Sequence, residues 1–548
     1  MILESQSDRD EERRTLDAEL HILTQRIGAI NRRRNAIAPI SFLPDEILSQ
    51  IILEHAFAMD IFSDKWFSTL LVCQRWQQIT LRHAQLWSYI RHSTAGRDFR
   101  ASVQRSGQFP LTCVFAPSGD RNEAAVYLQV LRENHAHRVR SLTLTENALF
   151  PVAFDQGVTQ FPSLEHLGIK SFYTAVTLTD SFFQDVTPGL RSLSCHNIAI
   201  LGWDSLSNLT NLSLQQSIHD AVPSPSFEQL VALLGRSPRL SRLHLHNYLP
   251  EIIPTLDITI NLSHLERVRL LGRHQAIHIF FSCLVLPPTT SIDLSSVDIY
   301  DGPDMSALLV PIRRHLLRLG APVLRSMTIT GMTHDFLSVA ADTAPFSGEP
   351  WDADFEPHVR LAVFPDTQHA ARRVLAKILD ALPLESVHIL STMQTARDPS
   401  HVTWRTVFQH IPQLKEVFIP VTASTLTVLE GLLDAISRGP RGLCGARRRR
   451  AAQGLYWPLR LRLVAFGHQR YWPDPDAAKH CFCKLEQLLA AYKDMDAPSK
   501  PANMLWPTVE VTSASVWSSL THELRERLAA VVQQLVIDGE LSKLLSPN

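Results

Sequence analysis

Hydrophobic positions near the start of the chain follow a helical period. Leu16, Leu20, Leu23, Ile27, Ile30 and Ile37 fall on one heptad seam, broken only by Arg34 at the remaining core position. This spacing predicts an amphipathic helix from Thr15 to Ala36, ended by Pro39, because the residue before a proline avoids the helical region. Three heptads are marginal alone, so the stripe needs a partner, either its own chain or a second helix. Next, Leu43-Pro44-Asp45-Glu46 carries helix-start signals: a proline that suits the first helical turn and acids at the positive end of the helix dipole. Ile47, Leu48, Ile51 and Ile52 then form a broad apolar stripe. A further helix is predicted from Lys65 to His83, with Phe67, Leu70, Leu71, Cys73, Trp76 and Ile79 covering most of its circumference, and Leu86-Trp87 closes the segment. A region this small buries a modest share of its surface, which leaves apolar side chains to offer a partner.

After this region the period changes. Segments reading apolar-x-x-apolar-x-apolar begin at Val139, Leu164, Leu190, Leu209, Leu240, Leu265, Thr289, Leu324, Leu384 and Leu414, with a degenerate copy at His358. From Val139 to Thr289 six steps cover 150 residues, an average of 25. Helical patterns lie between them, at Glu123–Asn134, Phe227–Leu234, Met305–Leu319, His369–Leu382 and Leu426–Ser437. A strand and then a helix, recurring at this interval, is one supersecondary unit stacked many times. Asn147 lies eight residues after its repeat begins; Asn197 and Asn247 lie one residue earlier in theirs. Beyond Leu463 the pattern fades, and Lys484–Tyr492 and Thr521–Leu545 read as helices, the second with Leu524, Leu528, Val531, Val532 and Leu535 on one face.

Composition narrows the function classes. Lys plus Arg total 53 and Asp plus Glu total 54, a net charge of −1, with 45% hydrophobic and 20% charged residues. These values exclude a disordered acidic or basic tail and give no global electrostatic case for nucleic acid. Seven irregularly spaced cysteines do not form a secreted disulfide framework, which favours a reducing compartment. The first residues are charged where a signal peptide needs an apolar stretch, and the densest apolar run, Ile279–Leu286, is too short for a membrane span. The expectation is a soluble protein of the cytoplasm or nucleus, with no membrane partner.

The blocks LPDEILSQII at 43–52, LVCQRWQQI at 71–79 (in full, Leu71-Val72-Cys73-Gln74-Arg75-Trp76-Gln77-Gln78-Ile79) and LW at 86–87 resemble the F-box family in order, content and spacing. They cover about a tenth of the chain. The stretch from Pro44 to Trp76 is a few residues longer than usual, with the excess at Ala58–Asp64, and a heptad helix ahead of the F-box resembles an arrangement common in fungal members. The strand-and-helix array resembles the leucine-rich-repeat horseshoe, departing from it in its irregular steps and missing asparagines; a less regular α/β array is the alternative. The resulting expectation is an α/β chain. It comprises a heptad helix (1–38), an all-α F-box module (39–91), a connecting segment (92–137), an irregular leucine-rich-repeat-like solenoid (138–463) and a helical C-terminal cap (464–548).

The resemblance implies a substrate-recognition subunit of an SCF-type cullin-RING ubiquitin ligase. Such a subunit docks on the Skp-type adaptor, and through it on the cullin-RING ligase, and binds a protein substrate with its repeat arm. Carried over from the motif, the adaptor-binding residues are Leu43, Pro44, Ile47, Leu48, Ile51, Val72, Cys73, Trp76 and Trp87. A Skp-binding or free repeat scaffold without a part in ubiquitin transfer is the alternative.

Chemistry of other kinds is thinly written. The chain lacks a P-loop, a dinucleotide fingerprint, HExxH, a nucleophile elbow and a kinase signature set, and it holds only 21 glycines, so no catalytic role and no cofactor are expected. His480-Cys481-Phe482-Cys483 lacks the second ligand pair of a structural zinc site, so no metal is expected. His244 and His246 alternate with Leu243 and Leu245. Together with His166, Lys170, Arg242, Arg267 and Arg269 at comparable repeat positions they are candidates for a basic, pH-sensitive substrate-binding face, against an ordinary solvated sheet face. Arg447–Arg450 sit in a glycine-rich stretch that reads as an exposed insertion; a nucleic-acid partner is not expected from four arginines on a neutral chain. The Pro- and acid-rich stretch Phe346–Pro357 reads as a long loop between repeats.

Overall fold

The computed structural model describes residues 2–92, 98–115, 121–145, 161–171, 176–180, 182–183, 189–217, 223–250, 258–297, 305–331, 336–344, 356–365, 367–393, 401–420, 427–432, 460–464, 483, 487, 508–511, 534–537 and 540–541. The chain is mixed α/β, with an N-terminal helical region followed by mostly parallel strands, and it divides into two compact units, Met1–Ser205 and Leu206–Asn548.

The first unit opens with a 35-residue helix, Ile2–Ala36, longer toward its start than the apolar seam alone predicts. A 3-10 turn, Pro39–Phe42, leads into the helix Asp45–Ala58, whose first turn carries Asp45 and Glu46. Leu48, Ile52, Leu53 and Ala56 share its inner face and meet Ile61, Trp66, Leu86 and Trp87 in one core. Trp66 and Trp87 cross edge to face at 5.7 Å. Each indole N–H donates to a carbonyl, Trp66 to Ile61 and Trp87 to Thr80, both at 3.0 Å, so these large rings bury no unpaired donor.

The single helix expected from Lys65 to His83 is two elements, a 3-10 stretch Lys65–Leu71 and a helix Gln74–Arg82. Cys73 between them is extended. The reason lies in the apolar pattern, which wraps too far round for one helix to bury. The break turns Trp66 and Thr69 inward and leaves Leu71 and Val72 outside. The excess at Ala58–Asp64 also has a place: Asp60 takes a positive φ of 62°, its carboxylate accepts from the Phe62 N–H, and the turn delivers Ile61 to the core.

Strand β1 (Tyr89–His92) follows at once, and β2 (Leu111–Phe115) pairs parallel to it and to β3 (Val139–Leu144). Residues 92–137, expected to be a connector, therefore carry sheet. They also carry the helix Phe99–Arg105, capped by Asp98, and the helix Arg121–Val130. The Arg105 guanidinium lies 4.5 Å above the Trp87 ring, so the helical module and the first strands are packed as one body. Strands β4 (His166–Lys170) and β6 (Ser192–His196) continue the parallel ladder, while β5 (Val176–Leu178) and β7 (Ile198–Ile200) form a separate short pair. Along the ladder Leu111, Cys113, Phe115, Leu142, Leu144, Leu167, Ile169, Leu193 and Cys195 are buried in strict alternation, which is the period of two that the repeat pattern demands. Burial pushes the Cys113 thiol up to about 12, the mark of a packing residue and not a reactive one.

In the second unit β8 (Asn211–Gln215), β9 (Arg242–His246), β11 (Arg267–Gly272) and β13 (Ser291–Ser296) run parallel in register, and β10 (Ile260–Asn261) pairs with β12 (Leu284–Val285) apart from them. Sequential order then fails. Beside β13 lies β16 (Val359–Val363), followed by β15 (Leu337–Asp342) antiparallel to it, and only then β14 (Ser326–Gly331), which pairs on its far side with β17 (Ile389–Met393). The chain skips two places, returns as an antiparallel strand, and crosses again through the helix Gln368–Ala381. The irregular array expected over 138–463 is thus also broken in its sequential order here. The 324 and 358 copies are not neighbours, because Leu337–Asp342 is a strand that lacks the repeat pattern.

Strand β18 (Glu416–Pro420) follows β17, then β19 (Arg460–Val464), β20 (Thr508–Val511) and β21 (Gln534–Ile537) in parallel, with β22 (Glu540–Leu541) antiparallel at the end. The expected helix Thr521–Leu545 is corrected at residues 534–537 and 540–541. Leu535, Val536 and Ile537 fit a helical stripe and a strand equally, and the β-branched Val536 and Ile537 favour the strand. Most of Lys484–Tyr492 lies outside the described residues, as does Asn147.

Asn197 and Asn247 close β6 and β9 at positive φ, 55° and 54°. Each side-chain amide donates 3.3 Å to a carbonyl just past the preceding strand, Ser171 and Gln216 respectively. Asparagine tolerates this backbone and supplies the bond that the strand end needs. Asn247→Ala loses both and is expected to cost about 1–2 kcal/mol, whereas Asn247→Gly keeps the backbone and costs less. Urea unfolding of the two variants side by side checks the order.

Candidate functional site

Two regions hold most of the residues singled out from the sequence. The first is the joined end of the helices Asp45–Ala58 and Gln74–Arg82. Arg75 makes this end. Its Nε and Nη2 donate to Asp45 Oδ1 at 2.8 and 2.5 Å, Nη1 donates to the Ser41 carbonyl at 2.7 Å, and Nη2 also reaches the Leu43 carbonyl at 2.6 Å. One planar guanidinium thereby fixes the Leu43–Pro44 entry of one helix to the first turn of the other, which a lysine cannot do. Arg75→Lys is expected to release the entry. Amide exchange at residues 43–47 then accelerates roughly tenfold, with a stability loss of about 1–2 kcal/mol, although the charge is kept; Arg75→Gln, which removes the charge as well, does the same.

Around this clamp the nine motif residues divide. Ile47 is 51% exposed and Val72 53%, Ile51 and Pro44 are also exposed, and Leu71, outside the nine, is 86% exposed. Leu43, Cys73 and Trp76 are half-buried, Trp76 against the module's core. Leu48 and Trp87 are corrected: at 0% and 3% exposure they belong to that core and present no surface. Leu48 lies on the expected apolar stripe, but a helix this short needs one face to hold its neighbours, and Leu48 lies there with Ile52, while Trp87 packs into the same core from the helix Ala84–Trp87. Trp66 and Arg75 were not singled out. Arg75 sits inside the 71–79 block, but its partners lie about thirty residues away in sequence, so nothing local marks it.

The second region is the polar face of β9, β11, β13 and β16. In one row across these strands stand His244, Arg269, Asp293 and Arg360, preceded on β8 by Ser213. Asp293 Oδ2 lies 3.1 Å from Arg269 Nε and 3.6 Å from Arg360 Nη1. Its Oδ1 is buried without a hydrogen-bond partner among the described residues. Burial pushes the Asp293 carboxyl up, and the arginines, Arg269 first, pull it down. Arg242 and Arg267 occupy the next row, Arg267 in an ion pair with Glu356. His246 stands in the third row, its ring 6.4 Å from that of His244.

Of the basic, pH-sensitive character expected of this face, the pH-sensitive part is corrected at His244. Asp293 and Glu356 offset two of the four arginines Arg242, Arg267, Arg269 and Arg360, which leaves the face net positive. Burial, then Arg269 and His246, drives His244 down to about 4, so its imidazole is neutral at physiological pH. His244 Nδ1 stands 3.3 Å from the Ser213 hydroxyl. His166 and Lys170 belong to β4 of the first unit, where burial is the main cause that lowers His166, opposed by Glu165. Asp293 was missed although it fills the same motif position as His244 and Arg269, because a search for positive charge passes over the counter-ion.

A groove of about 620 Å³ opens where β2, β3, β4 and β6 begin, but its Arg138 serves the Phe109 carbonyl and the Ser106 hydroxyl, and its Arg140 pairs with Glu165 at 2.8 Å. Among the described residues no cluster of three or more His, Cys, Asp or Glu has metal-ligand geometry, and no helix is long and apolar enough to cross a membrane. His480, Cys481 and Arg447–Arg450 lie outside the described residues. No protein-family model matches the chain, and no curated protein matches it.

Proposed function

We propose that the chain is an F-box-type substrate receptor of an SCF cullin-RING ubiquitin ligase, in which the module at 39–91 docks on a Skp-type adaptor and a leucine-rich-repeat-like arm presents its polar strand face to a target protein. The observation that carries this reading is the display of Pro44, Ile47, Ile51, Leu71 and Val72, with the half-buried Leu43 beside them, outside a well-filled core, at an end that Arg75 holds rigid. A small helical module that exposes so much apolar surface beside its own complete core is built to be covered. The chain then contributes position alone. Holding a target lysine close to a charged conjugating enzyme makes ubiquitin transfer effectively intramolecular.

The target face, on this reading, is the row His244, Arg269, Asp293 and Arg360, in which two guanidinium groups outnumber one carboxylate, a surface that suits an acidic partner. Affinity purification of the wild-type chain beside the Leu43→Ala/Pro44→Ala variant tests the assignment. Adaptor and cullin are expected with the wild type and absent from the variant, because anchors of this kind commonly cost about 2 kcal/mol or more, roughly 30-fold, when truncated. Adaptor without cullin points to a scaffold outside ubiquitin transfer, and neither protein with either chain ends the proposal.

A further inference from the structure

The helix Ile2–Ala36 leaves its heptad seam uncovered: Leu16, Leu20, Leu23, Ile27 and Ile30 are each about half exposed or more, and no described residue of the chain lies over them. We propose that this helix pairs with the same helix of a second copy in antiparallel orientation, making the protein a dimer. The inference stands apart from the ligase reading and needs only the helix.

Charge decides the orientation. With Leu20 and Ile27 at the a positions and Leu23 and Ile30 at d, the flanking g positions are Glu12, Glu19, Arg26 and Arg33 and the e positions are Asp10, Asp17, Thr24 and Asn31. A parallel pair sets Glu12 against Asp17 of the second copy, twice by symmetry, and stacks Arg34 on Arg34 in the core. An antiparallel pair centred between Leu23 and Ile27 removes both conflicts. Leu20 then faces Ile30 of the second copy and Leu23 faces Ile27, while each Arg34 lies over a Leu16 near an end. Glu19 meets Arg33 of the second copy, again twice, and the only like-charge contact is Arg26 with Arg26 at the solvent-exposed centre. Both orientations bury a similar apolar seam, so the ion pairs and the placement of Arg34 choose between them.

Analytical ultracentrifugation of the full chain across the micromolar range tests this. A concentration-dependent dimer is expected, and Leu23→Lys/Ile27→Lys is expected to be monomeric with unchanged thermal unfolding of the remainder. Glu19→Arg turns two attractive pairs into two repulsive ones and is expected to raise the dissociation constant about tenfold. Glu19→Arg/Arg33→Glu is expected to restore it, an exchange that a parallel pair, with Glu19 opposite Thr24, does not register. A wild-type monomer throughout, a dimer indifferent to Glu19→Arg, or a double variant that fails to recover each overturns the proposal.

Discussion

A full-length chain carrying Ile47→Asp and Val72→Asp is expected to lose affinity for a Skp-type adaptor by about 100-fold or more while unfolding at the wild-type temperature. Both side chains are about half exposed, so carboxylates there remain hydrated in the free protein and cost its fold little. On the proposed complex they would be desolvated against an apolar surface, and each would bring an unpaired charge into a dry contact. Two anchors at about 2 kcal/mol or more apiece set the expected scale, less any non-additivity between neighbours. Leu48→Asp is the contrasting variant. It places the same charge in a core with Ile52, Trp66 and Leu86, and is expected to abolish binding by unfolding the module, with the loss visible in thermal melting. Isothermal titration of purified adaptor separates the two cases. An Ile47→Asp/Val72→Asp chain that binds as the wild type does leaves the exposed end of the module without the role assigned to it.

The difference between Leu48 and Ile47 marks the limit of what periodicity reveals. An apolar stripe says which positions avoid water, and Ile47, Leu48, Ile51 and Ile52 were all legible in that sense. Which of them turn toward their own chain depends on where the next elements return, and that was set by a break at Val72–Cys73 with no proline or glycine to announce it. The strands were more legible, because alternation with a period of two and a step of 25 residues leaves one face to bury; Leu243, Leu245, Val268 and Leu270 are all inside. Their order was not. Leu337–Asp342 reads as an apolar run without the repeat spacing, and only its antiparallel pairing with both β14 and β16 shows that the chain doubles back. At the polar face the sequence located the row but not the counter-ion within it, since the pairing of Asp293 with Arg269 and Arg360 is a matter of register between strands far apart in the chain.

Buried histidines, His244 on this face and His315 in the helix Ser306–Leu316, govern the response to acid, in a direction opposite to a neutral-pH binding switch. Burial holds His244 and His315 down to about 4, and His358 is lowered for the same reason. His315 is packed with its Nε2 3.3 Å from the Thr290 carbonyl, an arrangement in which the neutral ring donates. In the unfolded chain these histidines take up a proton near 6.5; in the native chain they do so only near 4. Between those values the unfolded state binds more protons, so stability is full above the unfolded value and falls as the pH drops. For a group shifted this far the loss is at most about 2 kcal/mol at pH 5 and about 3 kcal/mol at pH 4. Two such groups make about 4 kcal/mol at pH 5, a large part of the stability of an ordinary domain. Asp293, raised from 3.8 by burial, has the opposite slope and softens the fall only at its acidic end. Urea midpoints are therefore expected to drop steeply from pH 7 to pH 5, and His244→Gln and His315→Gln each to flatten the slope by about one proton. Because His244 stays neutral from pH 6 to pH 8, binding of a target across β9, β11 and β13 is expected to hold constant over that range; a tenfold change there would assign the titration to another group on the face.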